Sequence, residues 1–463
     1  MRQVKGGSHF MRAVIDHTFR LVASPRTGVM MRNIAAAFSG RAVNILTTIL
    51  AIPVAVRTLG QVQYGTLAVI ISLTTFFAYA DFGLGTALIT ELAETEANGD
   101  HAASQRLVSQ VWFFLIGCAA AVVALGSILY ANGFALRLLP GVQAELAGNV
   151  WFILLYSSAL GIPLAIPQRM CFALQMGVVG QVWSSAGRVS VLVGVIVAAY
   201  ASPRLDTFVI VFVLVPNLVA GAFTVHLFFR LRPDLCPRLA ALSVERLRHR
   251  IAMGFNFTVL QLIDYAEVGV DTILISQFYD LRTVAQYDLL SRLFGYVLAV
   301  VGMGMWPLWP AVSAAAAQSD YDWIVAARRA GYWLMISISV CAAVFLWFES
   351  ETIVRLWTSV RLTLPDQALL KLALALFVIL NCMLSFQRVL LNAFKDIKIQ
   401  VLVGGLSILL LMPLKYMFLD YTMLYGVAVA TIAIYIPKWF YFAYLVEHHI
   451  EAFKVRRSLQ ASW

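Results

Sequence analysis

Nine ionisable residues stand inside long apolar stretches of this chain: Arg41, Asp81, Arg188, Asp264, Glu267, Asp271, Asp288, Arg292 and Lys438. Each would cost about 2.5–3.5 kcal/mol at a lipid-exposed helix centre, so most are expected to face a hydrated interior. Asp264, Glu267 and Asp271 follow i, i+3, i+7 spacing, which sets three carboxylates on one face of an α-helix with Gln261 just below. Carboxylates crowded away from water can exchange a proton or hold a sodium ion, and these three are the candidate ion-coupling site. The competing reading is that each is neutralised by a basic side chain on a neighbouring helix.

Arginine stays charged on burial and its planar fork matches a diphosphate, so Arg41, Arg188 and Arg292 are the candidate head-group residues. Two of them have local alternatives. Arg188 would close a gate by pairing with an acid of the other half, and Arg292, four residues after Asp288, would form an i,i+4 pair. Asp288 and Asp81 are gate or helix-end candidates, Asp81 because Gly83 and Gly85 beside it suggest a broken helix. Lys438 near a helix end would snorkel to the interface. On this count the first half carries net +1 and the second net −2, an arginine wall facing an acidic wall with Arg41 and Asp264 at matching depths.

The elements holding these groups follow from composition. With 61% hydrophobic and 13% charged residues, the chain lacks the polar surface to coat a soluble globule, so its solvent is lipid. About 20 apolar residues cross a bilayer, and twelve runs of that order occur, near 33–57, 64–86, 108–131, 148–172, 178–200, 206–229, 251–279, 284–308, 325–348, 365–390, 397–418 and 422–446. The first run lacks a small-residue cleavage site and reads as a retained helix rather than a signal peptide. The fold expected is all-α and integral to the membrane, with six helices on each side of the longest link. The divisions are a basic leader (1–32), helices 1–6 (33–230), an amphipathic link (231–250), helices 7–12 (251–446) and a tail (447–463).

The net charge of +10 arises from 34 Lys and Arg, and their placement explains it without nucleic acid. With the N-terminus inside, 22 fall on the inner side, 8 on the outer and 4 within helices, the asymmetry of a protein with both termini cytoplasmic. The leader and the link are expected along the inner interface, against membrane lipid. Five scattered cysteines without a CxxC pair and seven histidines without ligand spacing point to no disulfide and no metal site. No glycine-rich phosphate loop is present, so no cofactor is expected beyond a coupling H+ or Na+.

A parallel repeat relates the halves. TLGQVQYGTL (58–67) resembles FYDLRTVAQYDLL (278–290), pairing Tyr64 with Tyr287; the polar links that follow pair Asp100 with Asp320 and Trp112 with Trp333 to within a residue. The helix opening at Asn33, the turn at Leu59, Gly60, Tyr64 and Gly65, the stretch ADFGLGTALITELAE (80–94) and the GD link together resemble the Wzx-type polysaccharide and O-antigen flippases of the multidrug/oligosaccharidyl-lipid/polysaccharide (MOP) exporter superfamily.

The resemblance implies two six-helix lobes related by a pseudo-two-fold about a central cavity, and alternating access for a polyprenyl-diphosphate-linked oligosaccharide in a bacterial inner membrane. Its implied partners are that substrate, lipid, and the polysaccharide polymerase and export machinery. The alternatives are an organic-cation antiporter of the same superfamily, which would want fewer arginines, and a flippase for a lipid-linked peptidoglycan precursor. An enzyme is not expected, because bond-making needs a positioned acid or base and the outer links offer only Glu145, Glu349 and Glu351 without a paired motif.

Overall fold

Glycine 60 decides how the chain enters the bundle. Pro25–Phe77 is helical throughout except at Gly60, whose φ of 73° and ψ of 170° are readily adopted only without a Cβ. Thr47, Thr48, Tyr64 and Ile71 all line one cavity of about 130 Å³. In a straight helix Thr47 and Ile71 would lie about 36 Å apart, so the segment folds back on itself at Gly60. It therefore supplies two antiparallel spans, α1 (25–59) and the first part of α2 (61–77).

The computed structural model describes residues 25–77, 83–138, 143–239, 258–305, 308–317, 320–394 and 396–461. Asp81 and most of the 231–250 link lie outside them. Within the described residues α2 resumes as Leu84–Ala97. The following spans are α3 (His101–Ala131), α4 (Ala144–Ala173), α5 (Gly177–Ala201) and α6 (Leu205–Leu231). The second lobe comprises α7 (258–278), α8 (Leu281–Met305 and Leu308–Ala317), α9 (Tyr321–Thr358), α10 (Gln367–Ala393), α11 (Ile397–Asp420) and α12 (Gly426–Ala461).

Ten described helices are long and apolar enough to cross a membrane. The 40-residue stretch Phe38–Phe77 counts once there although it turns at Gly60, and α7 is interrupted by a π-turn at Tyr265–Gly269. Twelve spans in two lobes result. Helix already begins at Pro25, inside the expected leader, and α12 runs 15 residues past the expected boundary at 446.

Within the first lobe the α1–α2 hairpin packs on α5, and within the second α10 packs on both α9 and α12. The lobes meet where the hairpin lies against α8. At Gly65 any Cβ would stand 2.0 Å from the Leu281 carbonyl oxygen, so glycine permits that approach. Polar bonds then tie the lobes: Tyr64 Oη donates to Asp288 Oδ2 at 2.7 Å, Gln286 Nε2 to Gln61 Oε1 at 2.8 Å, and Trp357 Nε1 to the Ile49 carbonyl at 2.7 Å.

The repeat is visible in the caps. Asp100 (φ −86°, ψ 75°) accepts from the Ala103 N–H at the start of α3, and Asp320 (φ −88°, ψ 72°) accepts from the Trp323 N–H at the start of α9. Equivalent side chains satisfy equivalent orphan donors at two positions that the repeat pairs.

Candidate functional site

The three acids of α7 do not form one exposed stripe. A π-turn inserts an extra residue per turn between Asp264 and Asp271 and so rotates the two apart, toward different helices. Arg388 of α10 bridges two of the acids, with Nη1 donating to Asp264 Oδ1 at 2.7 Å and Nη2 to Glu267 Oε2 at 2.9 Å. Glu267, 1% exposed, is also paired with Lys438 of α12 and accepts from Tyr435 Oη at 2.9 Å. Lys415 of α11, fully buried, donates to Asp271 Oδ1 and to the Glu267 backbone carbonyl at 2.6 Å. Tyr287 completes the group by donating to Asp271 Oδ2 at 3.4 Å.

The expectation of an unmatched acidic wall is therefore corrected. Arg388 and Lys415, counted from the sequence with the inner and the outer side although they stand inside the runs 365–390 and 397–418, pair with the α7 acids, and moving them to the interior leaves 21 basic residues inside and 7 outside. With them the second lobe holds four intramembrane acids and four bases. Asp264 faces Arg388 rather than Arg41, and Lys438 is buried against Glu267 instead of snorkelling. The signal for Arg388 and Lys415 was present, since SFQRVLL and MPLKYMF put apolar residues on both sides of each charge.

The first lobe differs. Arg188, midway along α5, lines a cavity of about 480 Å³ formed by α2, α4, α5 and α6, with Thr74, Gln168, Trp183 and Asn217 among the other lining residues. Arg188 also lines the adjoining cavity of about 130 Å³, where Arg292 of the other lobe joins it. No carboxylate lines either space among the described residues, and Arg188 makes no hydrogen bond or ion pair with another described residue. Arg292 donates to Asp288 Oδ2 at 2.6 Å, the i,i+4 pair read from the sequence, and Asp288 also takes the Tyr64 bond between lobes. Arg41 lines a different cavity of about 340 Å³, facing Leu298 and Gly302 of α8. The structure thus brings Arg188 and Arg292 together and leaves Arg41 apart.

A smaller ionic cluster closes one end of the first lobe. Arg232 donates at 2.7 Å both to Glu96 Oε2 and to Asp234 Oδ2. The guanidinium bonded to Asp234 holds that carboxyl below its ordinary 3.8. His101 approaches Glu96 Oε1, and the guanidinium bonded to a carboxylate oxygen on each side makes this a latch between α2 and the segment that follows α6.

Residues 30–315 match the family model described as polysaccharide biosynthesis protein. The chain belongs to that family. No curated protein sequence matches it. Among solved structures, it is similar to a multidrug resistance MATE family transporter of the MOP superfamily in its inward-facing conformation, with a TM-score of 0.75 at 14% identity over 89% of this chain and 99% of that one. An outward-facing structure of a multidrug resistance MATE family transporter gives 0.66 at 13% identity, over 92% and 96%. A MOP superfamily transporter from Pyrococcus furiosus, described as having a binding pocket whose reverse polarity suggests a different function, gives 0.66 at 14% identity over 94% and 98%. The chain is a multi-pass membrane protein of the polysaccharide biosynthesis family with the fold of these solved transporters.

Proposed function

We propose that the chain carries a polyprenyl-diphosphate-linked oligosaccharide from the inner to the outer leaflet of a bacterial inner membrane by alternating access. The observation behind this reading is Arg188, a cation without an ionic partner among the described residues, lining a cavity of about 480 Å³ that contains no described carboxylate. A guanidinium bordering a cavity offers a diphosphate two parallel charge-assisted bonds, while the prenyl tail stays in lipid. An organic cation would be repelled by the same group, and this disfavours the antiporter. The basic-residue asymmetry supports a cytoplasmic N-terminus.

Coupling is assigned to protons at the α7 network. Lysine ammonium groups already occupy the positions beside Glu267 and Asp271 that a sodium ion would need. Asp264, with its side chain 59% exposed, borders a cavity of about 120 Å³ with Arg388, Asn392 and Gln400, which gives water a route to the network. The test is flipping of a fluorescent lipid-linked saccharide in proteoliposomes. Arg188→Ala is expected to lower the rate at least about tenfold, a loss of roughly 1.4 kcal/mol of stabilisation, with normal insertion; an unchanged rate removes the reading.

A further inference from the structure

The cavity holding Arg188 contains groups that a diphosphate does not require. Trp183 precedes Arg188 by five residues, about 7.5 Å along α5, and both line the same space. Its indole is fixed from α6: it stacks on buried Phe223 with ring centroids 5.5 Å apart and planes 14° from parallel, and its Nε1–H donates to His226 Nδ1 at 3.2 Å. One face and the ring nitrogen are thereby engaged, while the residue still borders the cavity.

Neutral polar groups stand beside it. Asn217 directs both amide protons away, to the Ser157 carbonyl at 2.6 Å and the Val213 carbonyl at 3.1 Å. Its Oδ1 is left as an acceptor with no donor among the described residues. Gln168, also on the cavity wall, bonds to no described residue. An amide that lacks a protein partner beside a cavity is satisfied by water or by a ligand's hydroxyl groups.

A rigid aromatic face next to uncharged acceptors and donors is the chemistry that recognises a pyranose, whose C–H face packs on the ring while its hydroxyls bond to amides. A bare diphosphate has no use for the indole, and an apolar drug has none for the amides. We propose that Trp183, Gln168 and Asn217 form a subsite for the sugar ring adjoining the diphosphate. This rests on the reading that Arg188 takes the diphosphate, and it adds that the first lobe senses whether the lipid carrier is loaded.

The experiment measures binding by calorimetry to purified protein in nanodiscs, with two probes: farnesyl diphosphate, and farnesyl diphosphate bearing one N-acetylglucosamine. Wild type is expected to bind the sugar-bearing probe about threefold to tenfold more tightly, the range expected for a ring contact. Trp183→Ala brings that ratio close to one and leaves the bare probe unaffected, whereas Trp183→Phe keeps most of it. Gln168→Ala, which disturbs no described partner, lowers the ratio as well and serves should the alanine variant at 183 not fold. Arg188→Ala weakens both probes and preserves the ratio. Equal wild-type affinities, or a ratio unchanged in both Trp183→Ala and Gln168→Ala, would overturn the sugar subsite. Undiminished binding of both probes to Arg188→Ala would overturn the diphosphate reading instead.

Discussion

The two lobes share a topology and equivalent caps at Asp100 and Asp320, yet treat charge within the spans in opposite ways. In the second, every α7 carboxylate is bonded to a cation from α10, α11 or α12. In the first, Arg188 meets a cavity instead. A saturated network holds helices together and offers little to a ligand; an exposed cation beside a cavity keeps its bonding capacity for one. On the proposed function, one fold carries a structural use and a binding use of charge in its two halves, and the assignment depends on where the partners are.

This contrast predicts opposite mutational outcomes. The largest effect is expected at Glu267: the Glu267→Ala change leaves Lys438 buried without its carboxylate and Arg388 with Asp264 alone, and breaking such a buried pair costs about 3–5 kcal/mol, read as a fall in thermal stability in detergent. Arg188→Ala is expected to shift stability by no more than about 0.5 kcal/mol while abolishing most flipping. Equal stability losses in the two lobes would break the comparison.

Next in size, combining Glu267→Gln with Lys438→Gln should recover about 1–3 kcal/mol relative to the sum of the single changes, because the pair is removed as a unit. Strict additivity would mean the two side chains act independently. Asp264→Asn should leave the protein folded and flatten the pH dependence of transport, since this acid lies at the water-accessible edge of the network. A pH profile matching wild type would return proton uptake to another group.

The smallest effect concerns the latch at Arg232. Because the native Asp234 carboxyl is held below its ordinary 3.8, the pair stabilises the fold above that pH and loses its contribution as pH falls through the lower native value. In Arg232→Ala that part of the acid sensitivity should vanish, measurable as the difference between the two stability-versus-pH curves.

Much of the fold was legible in the sequence because hydropathy and the placement of Asp100, Asp320, Tyr64 and Tyr287 are read directly from spacing. The site was less so. Arg388 and Lys415 sit close to helix ends, where a side chain counts as loop or as core according to packing, and packing is set by partners far away in the chain. The i, i+3, i+7 pattern implied one stripe only for an unbroken α-helix, and nothing in YAEVG announces a π-turn. Gln168, Trp183 and Asn217 were invisible to a search for charge, although each is a polar or aromatic interruption of an apolar run.

That π-turn makes α7 a phase shifter. Its extra residue sets everything beyond Gly269 back by about 100° relative to an unbroken α-helix, and the Lys415 ammonium holds the Glu267 carbonyl within the loosened turn. Asp271 keeps company with Lys415 and Tyr287 only in this phase. Deleting one residue within 265–269 would restore the ordinary winding and turn Asp271 away from both, so the angular setting of half a helix is governed by the length of a single hydrogen-bonded ring.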